Sequence, residues 1–116
     1  MSKILIVDDS PVDIQNLQNI LTDAGHVVTV ATSGADGVAK AKASAPDIIM
    51  MDVNMPGLDG FSAARQLTQD AQTKKIPVVF VTGKDQKVDR VFAQMLGAKG
   101  YVTKPYTAVQ ILAQLQ

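Results

Sequence analysis

Five short aliphatic runs alternate with segments of helical period along this chain, and that alternation leaves few folds open. The runs cover 3–7 (Lys-Ile-Leu-Ile-Val), 27–31 (Val-Val-Thr-Val-Ala), 47–51 (Asp-Ile-Ile-Met-Met), 78–82 (Val-Val-Phe-Val-Thr) and 101–103 (Tyr-Val-Thr). Continuous apolar runs this short read as strands buried on both faces. After the first, Ser10 supplies an N-cap, Pro11 a first turn and Asp13 a negative charge near the helix start. Ile14, Leu17, Ile20, Leu21 and Ala24 follow at helical spacing until Gly25. Ser33 with Asp36 opens an Ala- and Lys-rich helix that Pro46 ends. A third helix is expected from about Phe61 to Asp70, and a fourth capped by Asp85 and running to about Leu96. Thr107 and Gln110 form a capping box for the last, over 108–116.

Strands alternating with helices require right-handed crossovers and a parallel sheet covered on both faces. The expected class is α/β: a doubly wound, five-stranded, flavodoxin-like sheet of order 2-1-3-4-5. Ligands of such sheets bind beyond the carboxyl ends of the strands, where the order reverses. One domain spanning 1–116 is expected, with no linker, repeat or output domain.

Composition removes several function classes. Eleven basic and eleven acidic side chains cancel, which argues against a general nucleic-acid or membrane-surface binder. Every acid is Asp, a residue suited to caps and loop sites rather than helix interiors. There is no cysteine, so disulfides, thiol catalysis and thiolate metal sites are excluded. The first apolar run is too short for a signal-peptide core, and no stretch approaches a membrane span. A monomeric, cytoplasmic protein is expected.

The strand ends carry the chemistry. The first ends in Asp8-Asp9, the third in Asp52, the fourth in Thr82 and the fifth in Thr103-Lys104-Pro105. Along one rim these make three carboxylates, a hydroxyl and an ammonium, a set suited to magnesium and a phosphoryl group. Converging carboxylates repel unless a cation neutralises them. An Asp carboxylate can also accept a phosphoryl group as an acyl phosphate, with Lys104 pairing its charge and Thr82 donating a hydrogen bond. Singly, each has a plainer reading: Asp8-Asp9 as helix caps, Thr82 as a β-branched strand end, Lys104 as a solvated lysine. The Lys104-Pro105 step restricts the chain locally and permits a cis bond. Gly57 and Gly60 around Pro56 suggest tight turns and a loop able to cradle phosphate. His26 reads as surface, Met50, Met51 and Met95 as core, and Lys40, Lys42, Lys74 and Lys75 as solvated faces.

The segments ILIVDDSP, MDVNMPGLDG, VFVTG and YVTKP, in that order, resemble the receiver domain of bacterial two-component response regulators, similar to the single-domain chemotaxis regulators (CheY-like). The resemblance covers essentially the whole chain, and four separated motifs make it specific. It implies that Asp52 is the phosphoacceptor, with Thr82 and Lys104 on the phosphoryl oxygens. Magnesium would be held directly by Asp9 and Asp52, by Asp8 through water, and by the Asn54 carbonyl. Tyr101 matches the aromatic switch position, and Asn54 and Lys84 the positions that tune dephosphorylation. Arg90, Gln94, Gln110 and Gln114 would face outward as an output surface beside Tyr101, on helix 4, strand 5 and helix 5. Implied partners are a CheA-like histidine kinase and a downstream protein, with no nucleic acid. From Arg65 to Pro105 the sequence is more similar to the small PilH-like regulators of twitching motility, and the last helix is about two turns shorter than the family usually has.

Two readings from other classes meet specific obstacles. A haloacid-dehalogenase-type phosphohydrolase places its Asp nucleophile after the first strand with an acid two residues on. Here Asp52 follows the third, and Asn54 takes the acid's place. A flavodoxin-like FMN binder needs a Ser/Thr/Gly-rich phosphate loop where this chain has Asp8-Asp9.

Overall fold

A computed structural model describes residues 1–116. The strands are β1 (Lys3–Val7), β2 (Val27–Ala31), β3 (Ile48–Met51), β4 (Val78–Thr82) and β5 (Gly100–Thr103). The helices are α1 (Pro11–Asp23), α2 (Gly34–Ser44), α3 (Gly60–Thr68), α4 (Lys87–Met95) and α5 (Ala108–Ala113). All strand pairs are parallel and the order is β2-β1-β3-β4-β5, as expected from the alternation.

β3, β4 and β1 after Lys3 are buried along their whole length because helices cover both faces of the sheet, and the pleat sorts alternate residues. Leu5, Val7, Ile49, Met51, Val78 and Phe80 join Val38 and Ala41 of α2, Ala63, Ala64 and Leu67 of α3, and Ala93 of α4. Ile4, Ile6, Ile48, Met50, Val79, Val81 and Val102 pack with Leu17 and Leu21 of α1 and Ile111 of α5. No helix is long and apolar enough to cross a membrane.

The caps read from sequence at Ser10, Ser33 and Thr107 each accept an N–H three residues on. Gly25 takes φ +91° just past α1, a conformation that costs glycine nothing. Ala45, the residue before Pro46, closes α2 with a left-handed φ of 44°. This fits the exclusion of the residue before proline from the right-handed helix.

Three local expectations need correction. Asp85 does not cap α4: Gln86 occupies that position and its N–H donates to the Asp89 carboxylate, while Asp85 pairs with Arg90 at 2.8 Å. Met95 is 80% exposed rather than in the core. Only one side of α4 meets the sheet, at buried Ala93, so Met95 lies on the outer side with Val88 and Val91. Finally, α5 ends at Ala113 and α3 at Thr68, short of the expected limits.

Candidate functional site at the carboxyl edge of the sheet

Three backbone hydrogen bonds carry the ladder one residue beyond the strands and fix the site. Asp8 N–H donates to Ala31 O (3.1 Å), Asp52 N–H to Val7 O (2.9 Å) and Lys104 N–H to Thr82 O (2.9 Å). The candidate side chains therefore start from sheet geometry, with little freedom to move apart. Asp8 and Asp52 continue the pleat parity of Ile4, Ile6, Ile48 and Met50, so they project on the α1 and α5 side.

Asp8 and Asp52 are buried, and Asp9 is exposed. Oxygens of these three carboxylates all lie within 4.8 Å of one another. An all-oxygen set, two members rigid and one open to water, fits a hard divalent cation that keeps part of its hydration shell. Asn54, two residues beyond Asp52, is exposed in the loop leading to α3. The site thus gathers the sequence-derived residues Asp8, Asp9, Asp52 and Lys104.

Lys104 is shared among carboxylates. Its Nζ donates to Asp8 Oδ2 (2.9 Å), Asp13 Oδ2 (2.9 Å) and Asp52 Oδ2 (3.3 Å). The other oxygens of the buried pair accept backbone N–H groups, Asp8 Oδ1 from Ser10 (2.9 Å) and Asp52 Oδ1 from Val53 (2.7 Å). Burial alone would discourage the Lys104 charge, yet hydrogen bonds to Asp8 and Asp13 and the field of Asp52 overcome it and raise the ammonium pKa. Burial pushes the Asp8 carboxyl above its ordinary value despite the pull of Ser10 N–H and Lys104, and the Asp52 charge adds to the rise. The Lys104–Pro105 peptide bond is cis.

Asp13 was legible from sequence only as a first-turn helix acid. Its signal was indirect: α1 begins at the carboxyl edge, so its first turn faces the strand ends.

Gly60 also has a local reason different from the one expected. A Cβ there would collide with the carbonyl oxygen of Asp52, so glycine lets α3 start directly against the backbone of Asp52. Close packing, not phosphate cradling, accounts for it. Gly57 supplies a turn at φ +75°.

Thr82 is fully buried, and its Oγ1 accepts the Lys84 N–H at 3.2 Å. The Lys84 carbonyl accepts the Tyr101 O–H at 2.7 Å. Tyr101 is half-buried, tilted against Phe80 at 6.3 Å between ring centroids, with the Arg90 guanidinium 4.9 Å above its ring. Burial raises the Tyr101 phenol pKa, and the Asp89 charge adds to it. Arg90 and Gln94 are exposed, as expected. Gln110 is exposed but engaged with Thr107 in the α5 cap, and Gln114 is half-buried over Gly100. His26 is half-buried and accepts the Ser2 N–H at Nδ1.

The model of the response regulator receiver domain matches residues 4–116. The chain belongs to the response regulator receiver family. As a receiver it is a two-component signalling protein, and the phosphohydrolase and FMN-binder readings give way. It is 52% identical over 105 residues to protein PilH of Pseudomonas aeruginosa, covering 90% of this chain and 87% of that one. It is 38% identical over 115 residues to the response regulator PleD of Caulobacter vibrioides, covering 99% of this chain but only 25% of the longer protein. The chemotaxis protein CheY4 of Vibrio cholerae superposes with a TM-score of 0.93 at 34% identity, covering 100% of this receiver and 97% of that chain. The receiver domain of a Pseudomonas aeruginosa PAO1 sensor histidine kinase, solved with magnesium in its active-site cleft, gives a TM-score of 0.91 at 30% identity over 99% of this chain and 94% of that one.

Proposed function

We propose that Asp52 is the phosphoacceptor of this receiver, and that the phosphoryl group comes from the phosphohistidine of a CheA-like histidine kinase. The observation that carries the reading is the meeting of the Asp8, Asp9 and Asp52 carboxylates within 4.8 Å beside the Lys104 ammonium. A carboxylate oxygen of Asp52 attacks phosphorus as the P–N bond breaks. The histidine nitrogen leaves with the electron pair, and an acyl phosphate results. Such transfer depends on positioning and charge neutralisation more than on proton transfer.

Asp8, Asp9, Asp52 and the Asn54 carbonyl would hold Mg2+, which when bound neutralises charge on the transferring phosphoryl group. Lys104 and the Thr82 hydroxyl bind phosphoryl oxygens, while Asn54 and Lys84 at the rim tune access of hydrolytic water. Thr82 connects through the backbone of Lys84 to the Tyr101 hydroxyl. Drawing Thr82 toward the phosphoryl group therefore disturbs Tyr101 and the α4–β5–α5 face with Arg90 and Gln94, where a downstream protein binds. The receiver acts as a cytoplasmic monomer in a chemotaxis-like pathway. The PilH likeness favours type IV pilus motility within that class. A phosphate-sink role uses the same chemistry and differs only in lacking a target.

Incubation with acetyl phosphate and magnesium, followed by intact-mass analysis, tests the assignment. The parent gains the mass of one phosphoryl group and Asp52→Asn does not. Equal labelling of the two, or none of the parent, refutes it.

A further inference from the structure

The Lys104 ammonium has three hydrogens to donate, and each is directed to a different carboxylate: Asp8, Asp13 and Asp52. Serving a phosphoryl oxygen on Asp52 therefore requires one of these bonds to be given up. The three are not equivalent. The Asp8 side chain is 5% exposed and Asp52, at 10%, is the acceptor itself, whereas Asp13 is 40% exposed. Phosphorylation removes the charge of the Asp52 carboxylate itself. Of the two partners that stay unmodified, water can replace Lys104 at Asp13 at small cost but not at buried Asp8. Asp13 is also the one partner contributed by a helix rather than by a strand end. Its place is fixed by the Ser10 cap, whose Oγ accepts the Asp13 N–H.

We propose that Asp13 is a positioning residue that holds Lys104 toward α1 in the unmodified receiver and surrenders it to the phosphoryl group on Asp52. The proposal rests on the Asp52 assignment. Asp13 opposes phosphorylation by competing for the lysine, and its release leaves a free carboxylate at the start of α1. Phosphorylation thereby marks the α1 side of the molecule as well as the face around Tyr101.

Beryllofluoride with magnesium serves as the phosphoryl mimic, titrated into the parent, Asp13→Ala, Lys104→Met and the double variant, with binding followed by NMR. Asp13→Ala binds about fivefold more tightly than the parent, the size of a half-exposed ion pair. In the Lys104→Met background the same substitution changes nothing. Equal tightening in both backgrounds reduces Asp13 to a bystander charge and overturns the proposal, as does an Asp13→Ala affinity equal to the parent's where Lys104 is retained. A second readout uses the parent alone: the Asp13 side-chain carboxyl carbon shifts as the mimic saturates. A stationary resonance overturns the hand-over even where Lys104→Met neither folds nor binds. If the parent shows no magnesium-dependent response around Asp52, the Asp52 assignment itself fails and the hand-over falls with it. A response at Asp52 without one at Asp13 removes the hand-over alone.

Discussion

The Tyr101 hydroxyl donates to the carbonyl of Lys84 at 2.7 Å, and the N–H of that same Lys84 donates to Thr82 Oγ1. One residue's backbone thus bridges a buried hydroxyl at the site and a half-buried ring on the outer face. Tyr101→Phe removes the bond while keeping the ring's packing on Phe80. A loss of about 1 kcal/mol in urea unfolding is expected, with acetyl phosphate labelling retained. Complete loss of labelling would show that the hydroxyl acts on the chemistry and not only on the outer face.

Gly60 lies against the Asp52 carbonyl, with no room for a methyl group. Gly60→Ala forces α3 and the Asp52 backbone apart, at about 2–4 kcal/mol. Thermal unfolding reports the loss, and phosphorylation slows in the fraction that remains folded. A variant of parental stability would mean that α3 moves without strain.

Thr73 is buried outside the site, and its Oγ1 donates to the Leu67 carbonyl at 2.7 Å. Thr73→Val leaves that carbonyl without its donor, costing about 1–3 kcal/mol. Phosphorylation by acetyl phosphate should match the parent at temperatures where both are folded. The pair of measurements separates stability from site chemistry.

Lys104, Tyr101 and Tyr106 all hold their protons more tightly folded than unfolded. Above pH 10 the folded state therefore binds more protons than the unfolded one, and stability falls as pH rises. For Lys104 the ion-pair contribution is complete below its ordinary value of 10.5 and is lost through its raised folded value. Denaturant midpoints should decline from about pH 10 upward, and Lys104→Met should flatten the decline. Ultraviolet titration of the two phenols should give midpoints above 10.0.

If the proposed site holds magnesium, the ion would relieve the repulsion among the Asp8, Asp9 and Asp52 carboxylates. At about a hundred times its Kd the ion adds about 2.7 kcal/mol of stability, seen as a rise in Tm that a chelator reverses. Asp9→Asn, altering the exposed member of the set, should abolish most of the rise. An undiminished rise in that variant would place the ion elsewhere.

The sequence by itself determined the sheet and most of the candidate site. Strands, caps and the residues just past strand ends depend on local spacing, so Ser10, Ser33, Thr107, Asp8, Asp52, Thr82 and Lys104 were legible at once. Where spacing was ambiguous by one residue, as at Asp85 and Gln86, the local reading slipped. Tertiary structure alone decided which groups meet across the chain. Asp13 and Lys104 stand 91 positions apart, and their contact depends on how α1 crosses the sheet edge. Gly60 against the Asp52 carbonyl and Met95 facing solvent are set likewise, by the packing of α3 and α4. Periodicity shows that a helix has an apolar side, but only packing settles which side is covered and which side chain reaches the lysine.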